Sequence, residues 1–170
     1  RLIEAGAIGI TCAKLSEAEV MVAAGIKDIL VANQVVGARK MARLVAIQHH
    51  ADVMVAVDSI ENAREISDAA SAGGVRVRVL IEVNSGMDRC GVEPGQPVVA
   101  LARQVAALPG IKLTGVMAWE GHVVAMQDKE EKKKVCTASV QKLVDSAEQC
   151  RDVDCVADGS VHLLPEDGVQ

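Results

Sequence analysis

Large aromatic side chains are almost absent from this chain. It has no Tyr and no Phe, and Trp119 is its one Trp. A core must therefore be built from aliphatic side chains, with Ala and Val filling the places that rings usually take. Positive charge is not in excess: the formal net charge is −5, which argues against a nucleic-acid surface. No stretch approaches the ~18 uninterrupted apolar residues of a membrane span. No signal peptide is recognisable either. The chain opens without Met, inside an apparent helix from Arg1 to Ala5. Its cysteines (Cys12, Cys90, Cys136, Cys150, Cys155) are odd in number and scattered. They read as reduced thiols of a cytoplasmic protein, not as a disulfide framework. Zinc would want close pairs, and only Cys150 and Cys155 are near each other. No G-x-G-x-x-G loop follows the first strand, which counts against a Rossmann domain.

What is present is a repeated strand and helix pattern. Strands are expected at Ala7 to Cys12, Asp28 to Ala32, Val53 to Val57, Val75 to Val83 and Leu113 to Ala118, with another starting at Val153 to Val156. Helices are expected from Ser16 to Ala24, Ala38 to His49, Ile60 to Ala72, Gln96 to Leu108 and Lys129 to Cys150. Ser16 with Glu19 has capping-box spacing, Ser59 is a cap, and Gly25 and Gly73-Gly74 are stops. The strands are continuous apolar runs, as when both faces of a parallel sheet are covered. The fold class is α/β: a parallel barrel or a doubly wound sheet. About six strands are expected where a closed barrel has eight.

Chemistry in such folds gathers where the strands end. That rule selects Lys14, Asn33, Asp58 with Ser59, Asn84 with Arg89, and Trp119 with Glu120 and His122. The richest stretch is Val79 to Gly95, where an apolar run breaks into Asn84-Ser85-Gly86 and Arg89 is bracketed by Gly86 and Gly91. An arginine there offers planar donors to phosphate, carboxylate or phenolate oxygens. The same spacing also fits a surface arginine in a structural turn. Asn33, Asp58 and Ser59 are common turn and cap types as well as ligands. Trp119 could stack on a planar ligand, His122 could carry a proton, and Arg89 could lower the pKa of Cys90. The run from Asp128 to Lys134 reads as a solvated helix start.

Four segments carry a resemblance. They are Ala7 to Met21, Asp28 to Asn33, Gly86-Met87-Asp88-Arg89-Cys90-Gly91-Val92, and Gly115-Val116-Met117-Ala118-Trp119-Glu120-Gly121-His122. Together they resemble the D-threonine aldolase and D-serine dehydratase family, which has the alanine-racemase-type barrel, from residue 1 to about Cys155. The tract from Thr11 to Asn33 points toward the aldolase side. The resemblance implies a partial parallel (β/α) barrel over 1–155, with 156–170 a divergent tail. It implies pyridoxal 5'-phosphate as cofactor, with Arg89 near the phenolic oxygen and Trp119 against the ring. His122, Asn33 and Asp58 complete the candidate cofactor-binding set. No residue of the chain is assigned as catalytic or as a metal ligand. The family's cofactor-linking lysine would precede residue 1, and Lys14 is not that lysine. The stretch Val156 to Leu163 does not match the family's phosphate loop. The β-domain that holds a divalent metal, manganese or similar, would follow the chain. The chain thus looks like a fragment.

The implied function is part of a lyase that splits D-threonine and other D-β-hydroxy amino acids to glycine and an aldehyde. The rivals are a D-serine dehydratase or racemase of the same fold, a non-catalytic pyridoxal-phosphate carrier, and a fragment inert by itself. The implied partners are a small D-amino acid and, at full length, a second copy in a homodimer, with no nucleic acid and no membrane.

Overall fold

The computed structural model describes residues 2–152. Five strands, β1 (Ile10–Cys12), β2 (Asp28–Gln34), β3 (Asp52–Val57), β4 (Val77–Glu82) and β5 (Ile111–Met117), form one sheet in sequence order. Every neighbouring pair is parallel. The helices α1 (Leu15–Ala23), α2 (Ala38–Gln48), α3 (Ile60–Ala72) and α4 (Gln96–Ala106) join successive strands, and α5 (Lys129–Asp152) follows a short 3-10 turn at Gly121–Val123. Right-handed crossovers between strands in unbroken sequence order place all the helices on one side. A doubly wound sheet would reverse its order at a switch point. The order therefore selects the barrel type, and five strands of it lie among the described residues. The further strand expected at Val153 to Val156, and the divergent tail, lie outside them.

Side chains alternate between the two faces of each strand. Ile29, Val31, Val53, Val55, Val79 and Ile81 pack in one buried cluster with Leu44, Ile66, Val98 and Ala102 from the helices. Burying each such aliphatic side chain is worth roughly 1.5–3 kcal/mol, so this layer supplies the sheet's hold on its helices without any ring. Met54, Ala56, Leu80 and Glu82 are buried too, but on the other face. That inner face is polar at both ends. At the N-terminal end Arg78 bridges Asp28 (2.7 Å) and Asp52 (2.8 Å), which oppose each other across β2 and β3. At the C-terminal end stands Glu82.

Two expectations are corrected at the start of the chain. Residues 2–6 form turns, not a helix: Ala5 N–H donates to Leu2 and Gly6 N–H to Ile3, and Gly6 has φ 101°. Leu2 and Ile3 are exposed, so nothing packs there to support a helix. Strand β1 pairs only from Ile10 onward. Helix α1 begins at Leu15, two residues earlier than a Ser16 cap requires in its first turn. Lys14 is the extended cap residue, and Glu17 Oε2 accepts the backbone N–H groups of Ala13 (2.8 Å) and Lys14 (3.1 Å). Glu19 instead binds Arg43 of α2, with Nε to Oε1 at 2.6 Å. At α3 the cap is as expected: Ser59 Oγ accepts from Asn62 N–H.

Candidate functional site

The loop after β4 is built by backbone clamps. Val83 and Val92 form a parallel bridge, Asn84 N–H donates to Val92 O, and Val92 N–H donates to Glu82 O, both at 2.8 Å. Inside the loop Asn84 Oδ1 accepts from Gly86 N–H and Asp88 N–H. Its Nδ2 donates to Asp88 and Glu93. The chain turns through left-handed backbone at Asp88 (φ 54°) and Gly91 (φ 98°). A Cβ at Gly91 would stand 2.7 Å from Asn84 N and 2.8 Å from Val83 C, so only glycine lets the clamp close. The outcome is a rigid loop that delivers Arg89 to the C-terminal edge of the sheet.

Arg89 meets Trp119 there. The guanidinium carbon lies 5.1 Å from the indole centroid, within cation–π range. The indole is 48% exposed. Its other contacts explain Gly121 and Met87: a Cβ on Gly121 would be 2.7 Å from the ring and 2.9 Å from Met87 Sδ. Arg89 and Trp119 form one wall of a groove of about 640 Å³ whose other walls are the ends of β1 and β2, with Thr11, Cys12, Asn33 and Gln34. That size holds a small ligand.

The five candidate residues occupy two layers. Arg89, Trp119 and Asn33 line the groove. Asn33 is also tied to backbone, donating to Ala13 O (3.2 Å) and accepting from Gln34 N–H (2.9 Å). Asp58 lies behind the loop, where its carboxylate accepts Gly91 N–H at 3.1 Å. His122 packs over Gly86 and meets Ser139 Oγ at 3.4 Å. Ser139 gives its only proton to Ser85 O (3.1 Å), so His122 Nε2 is the donor in that contact. His122 Nδ1 is then a buried acceptor with no partner.

Sequence reasoning missed Glu82, Gln34 and Cys12. Glu82 is 5% exposed at the end of β4. Gln34 Nε2 donates to its Oε2 at 2.6 Å, and the Cys90 thiol donates to its Oε1 at 3.1 Å. The signal was one acidic residue inside an otherwise apolar strand end. The same contacts correct the expectation for Cys90. Its pKa is raised, first by burial and next by the hydrogen bond to Glu82, and Arg89 opposes this without reversing it. Among the described residues no three His, Cys, Asp or Glu side chains gather in a metal-holding group.

The profile of the alanine racemase N-terminal domain matches residues 1–163. The chain belongs to that family. Within the alanine racemase N-terminal group, a D-threonine aldolase of Arthrobacter sp is 38% identical over 158 residues, covering 93% of this chain and 42% of that protein. A 3-hydroxy-D-aspartate aldolase of Paracoccus denitrificans (strain Pd 1222) is 35% identical, covering 84% of this chain and 38% of its own length. The crystal structure of D-threonine aldolase from Filomicrobium marinum superposes with a TM-score of 0.87 at 38% identity, over 89% of this chain and 41% of that one. The chain spans about two fifths of the length of the curated relatives it matches. The alanine racemase fold is one of pyridoxal-phosphate enzymes, and the groove suits the ring end of that cofactor: an exposed indole face, an oriented guanidinium and room for a small planar group. No helix among the described residues is long and apolar enough to cross a membrane.

Proposed function

We propose that this chain is the barrel portion of a pyridoxal-phosphate lyase that cleaves D-threonine and related D-β-hydroxy amino acids to glycine and an aldehyde. One observation carries the reading: the Arg89–Trp119 pair on the groove, in a chain similar to two aldolases of D-configured hydroxy amino acids. The bound cofactor supplies an electron sink for the bond being broken at the amino acid's α-carbon. The described residues prepare its seat. Arg89 presents N–H donors to the phenolic oxygen, and Trp119 covers the ring and excludes water from that face. Asn33 bounds the groove on the β2 side. Asp58 and His122 act one layer back: Asp58 fixes Gly91, and His122 packs against the Gly86 turn. The lysine that carries the cofactor, the phosphate loop and the ligands for a divalent metal such as manganese are assigned to the rest of the full-length protein. A homodimer in the cytoplasm is part of the same proposal.

The test incubates the full-length protein with D-threonine, D-serine and L-alanine separately. Glycine from D-threonine is expected. Pyruvate from D-serine without glycine from D-threonine would make it a dehydratase, and D-alanine from L-alanine a racemase. Cofactor binding with no turnover would make it a carrier.

A further inference from the structure

Gln34 holds its side-chain amide in one orientation. It ends β2, where a bulge between Val31 and Gln34 slips the strand, so that Gln34 and not Ala32 stands opposite Ala56 of β3. A bulge of this kind interrupts the ladder and re-aims a side chain. The Gln34 side chain reaches the end of β4, where its Nε2 donates to Glu82 Oε2 at 2.6 Å. Glu82 is 5% exposed, and turning the amide over would set oxygen against a buried carboxylate oxygen. With Nε2 fixed on Glu82, the amide oxygen faces away from it. Gln34 lines the groove opposite Trp119, and its amide oxygen receives no hydrogen bond among the described residues. The groove wall thus carries an oriented acceptor that lacks a donor.

We propose that Gln34 is a specificity-determining residue: its amide oxygen accepts the β-hydroxyl proton of the D-β-hydroxy amino acid. The inference rests on the lyase reading for the identity of the ligand. It adds the group that tells a hydroxy amino acid from a plain one. The ligand's other polar groups do not suit this oxygen. The substrate carboxylate and the phenolic oxygen of the cofactor bring lone pairs, which an amide oxygen repels and which guanidinium donors match. The amino group is engaged by the cofactor. The hydroxyl alone brings a free proton. Placement agrees with the chemistry. Gln34 and Arg89 stand at the two oxygens of the same carboxylate, Oε2 and Oε1 of Glu82. Pyridoxal phosphate carries its reactive aldehyde beside the phenolic oxygen, so the amino acid is held at this end of the groove. A site built to bond a hydroxyl disfavours the analogue without it, because its own polar group is then left unpaired.

The experiment uses the full-length protein with pyridoxal phosphate bound and no divalent metal added, as wild type, Gln34→Met and Gln34→Lys. The two ligands are D-threonine and D-2-aminobutyrate, which has the same skeleton without the hydroxyl. Affinity for each is read by stopped flow from the change in visible absorbance on mixing, before product forms. Wild type should prefer D-threonine by about three- to tenfold, the range of one hydrogen bond. Gln34→Met keeps the length and removes the acceptor. The preference should vanish through weaker D-threonine binding, with D-2-aminobutyrate held within about twofold of wild type. Gln34→Lys gives Glu82 a donor again but offers no acceptor, and it should lose the preference as well. A side chain that only supported the fold would move both affinities together. A folded Gln34→Met protein with the wild-type preference overturns the proposal, and so does a wild type that binds both ligands alike. If Gln34→Met does not fold, Gln34→Lys decides by the same ratio. A wild-type protein whose absorbance responds to neither amino acid contradicts the lyase reading and, with it, the substrate named here. Equal binding of the two contradicts the role of Gln34 alone.

Discussion

Arg89 and Trp119 form a stacked pair, with the guanidinium carbon 5.1 Å from the indole centroid. Each comes from the end of a different strand, β4 and β5, so the contact fixes the mouth of the barrel at that point. In a chain with no Tyr, no Phe and no second Trp, the single indole lines the groove and is not part of the core.

The pair predicts a graded loss of cofactor affinity in the full-length protein. A ring stacked on an aromatic face is worth about 0.5–1.5 kcal/mol beyond area burial, so Trp119→Ala should weaken pyridoxal phosphate binding roughly two- to tenfold. Trp119→Phe should recover part of it. Arg89→Ala should weaken binding more, because it removes donors as well as the stack. Titration followed by the visible absorbance band checks the ranking.

Gly91 and Gly37 separate close contact from backbone strain. Both have left-handed φ, 98° and 93°, but a Cβ at Gly37 meets nothing within 4 Å, whereas at Gly91 it runs into the backbone of Val83 and Asn84. Gly37→Ala should cost about 1–3 kcal/mol from strain alone. Gly91→Ala should cost clearly more and also release Arg89 from the groove. Denaturant melts of the two variants, with cofactor titration of each, test both parts.

Asp58 should act on the ligand site without touching it. Its carboxylate accepts Gly91 N–H at 3.1 Å, a charge-assisted bond worth roughly 1.5–3 kcal/mol when buried and less here, where the residue is half-buried. Asp58→Ala should therefore weaken cofactor binding modestly and destabilise the loop. Faster hydrogen exchange at Gly91 and Val92 than at residues of β3 would show it. Equal exchange would place the clamp elsewhere.

Cys90 gives a pH dependence with a definite sign. Its pKa in the folded protein is raised by burial and by Glu82. The stabilising contribution is thus complete below the unfolded thiol value, ~8.5, and is lost as pH rises through the higher folded value. Cys90→Ser should flatten part of the alkaline fall in melting temperature. Cys12, whose pKa is also raised, first by burial, contributes in the same direction.

Most of the sheet was legible because β3, β4 and β5 are dense β-branched runs ended by polar turns, and burial on both faces leaves no competing pattern. The start of the chain was not. Ala7 to Gly9 holds one β-branched residue, Ile8, between Ala and Gly and finds no ladder partner, and α1 takes its first turn from Glu17 on the backbone of Lys14, a detail that Ser16 and Glu19 mimic at the level of spacing. Arg89 and Trp119 were visible as polar or aromatic residues just past strand ends; Asn33 was selected by the same rule, but β2 runs on through it to Gln34. Glu82 was hidden because it sits within a strand, where a lone acidic residue reads as part of the apolar run until Gln34, Cys90 and Arg89 are seen around it.

The most direct measurement is product analysis of D-threonine after incubation with the full-length protein, pyridoxal phosphate and a divalent metal. Cleavage between Cα and Cβ predicts glycine and acetaldehyde in equal amounts, with none from L-threonine. Ammonia and 2-oxobutanoate in their place, or D-threonine returned unchanged by a protein that binds the cofactor, would contradict the lyase account.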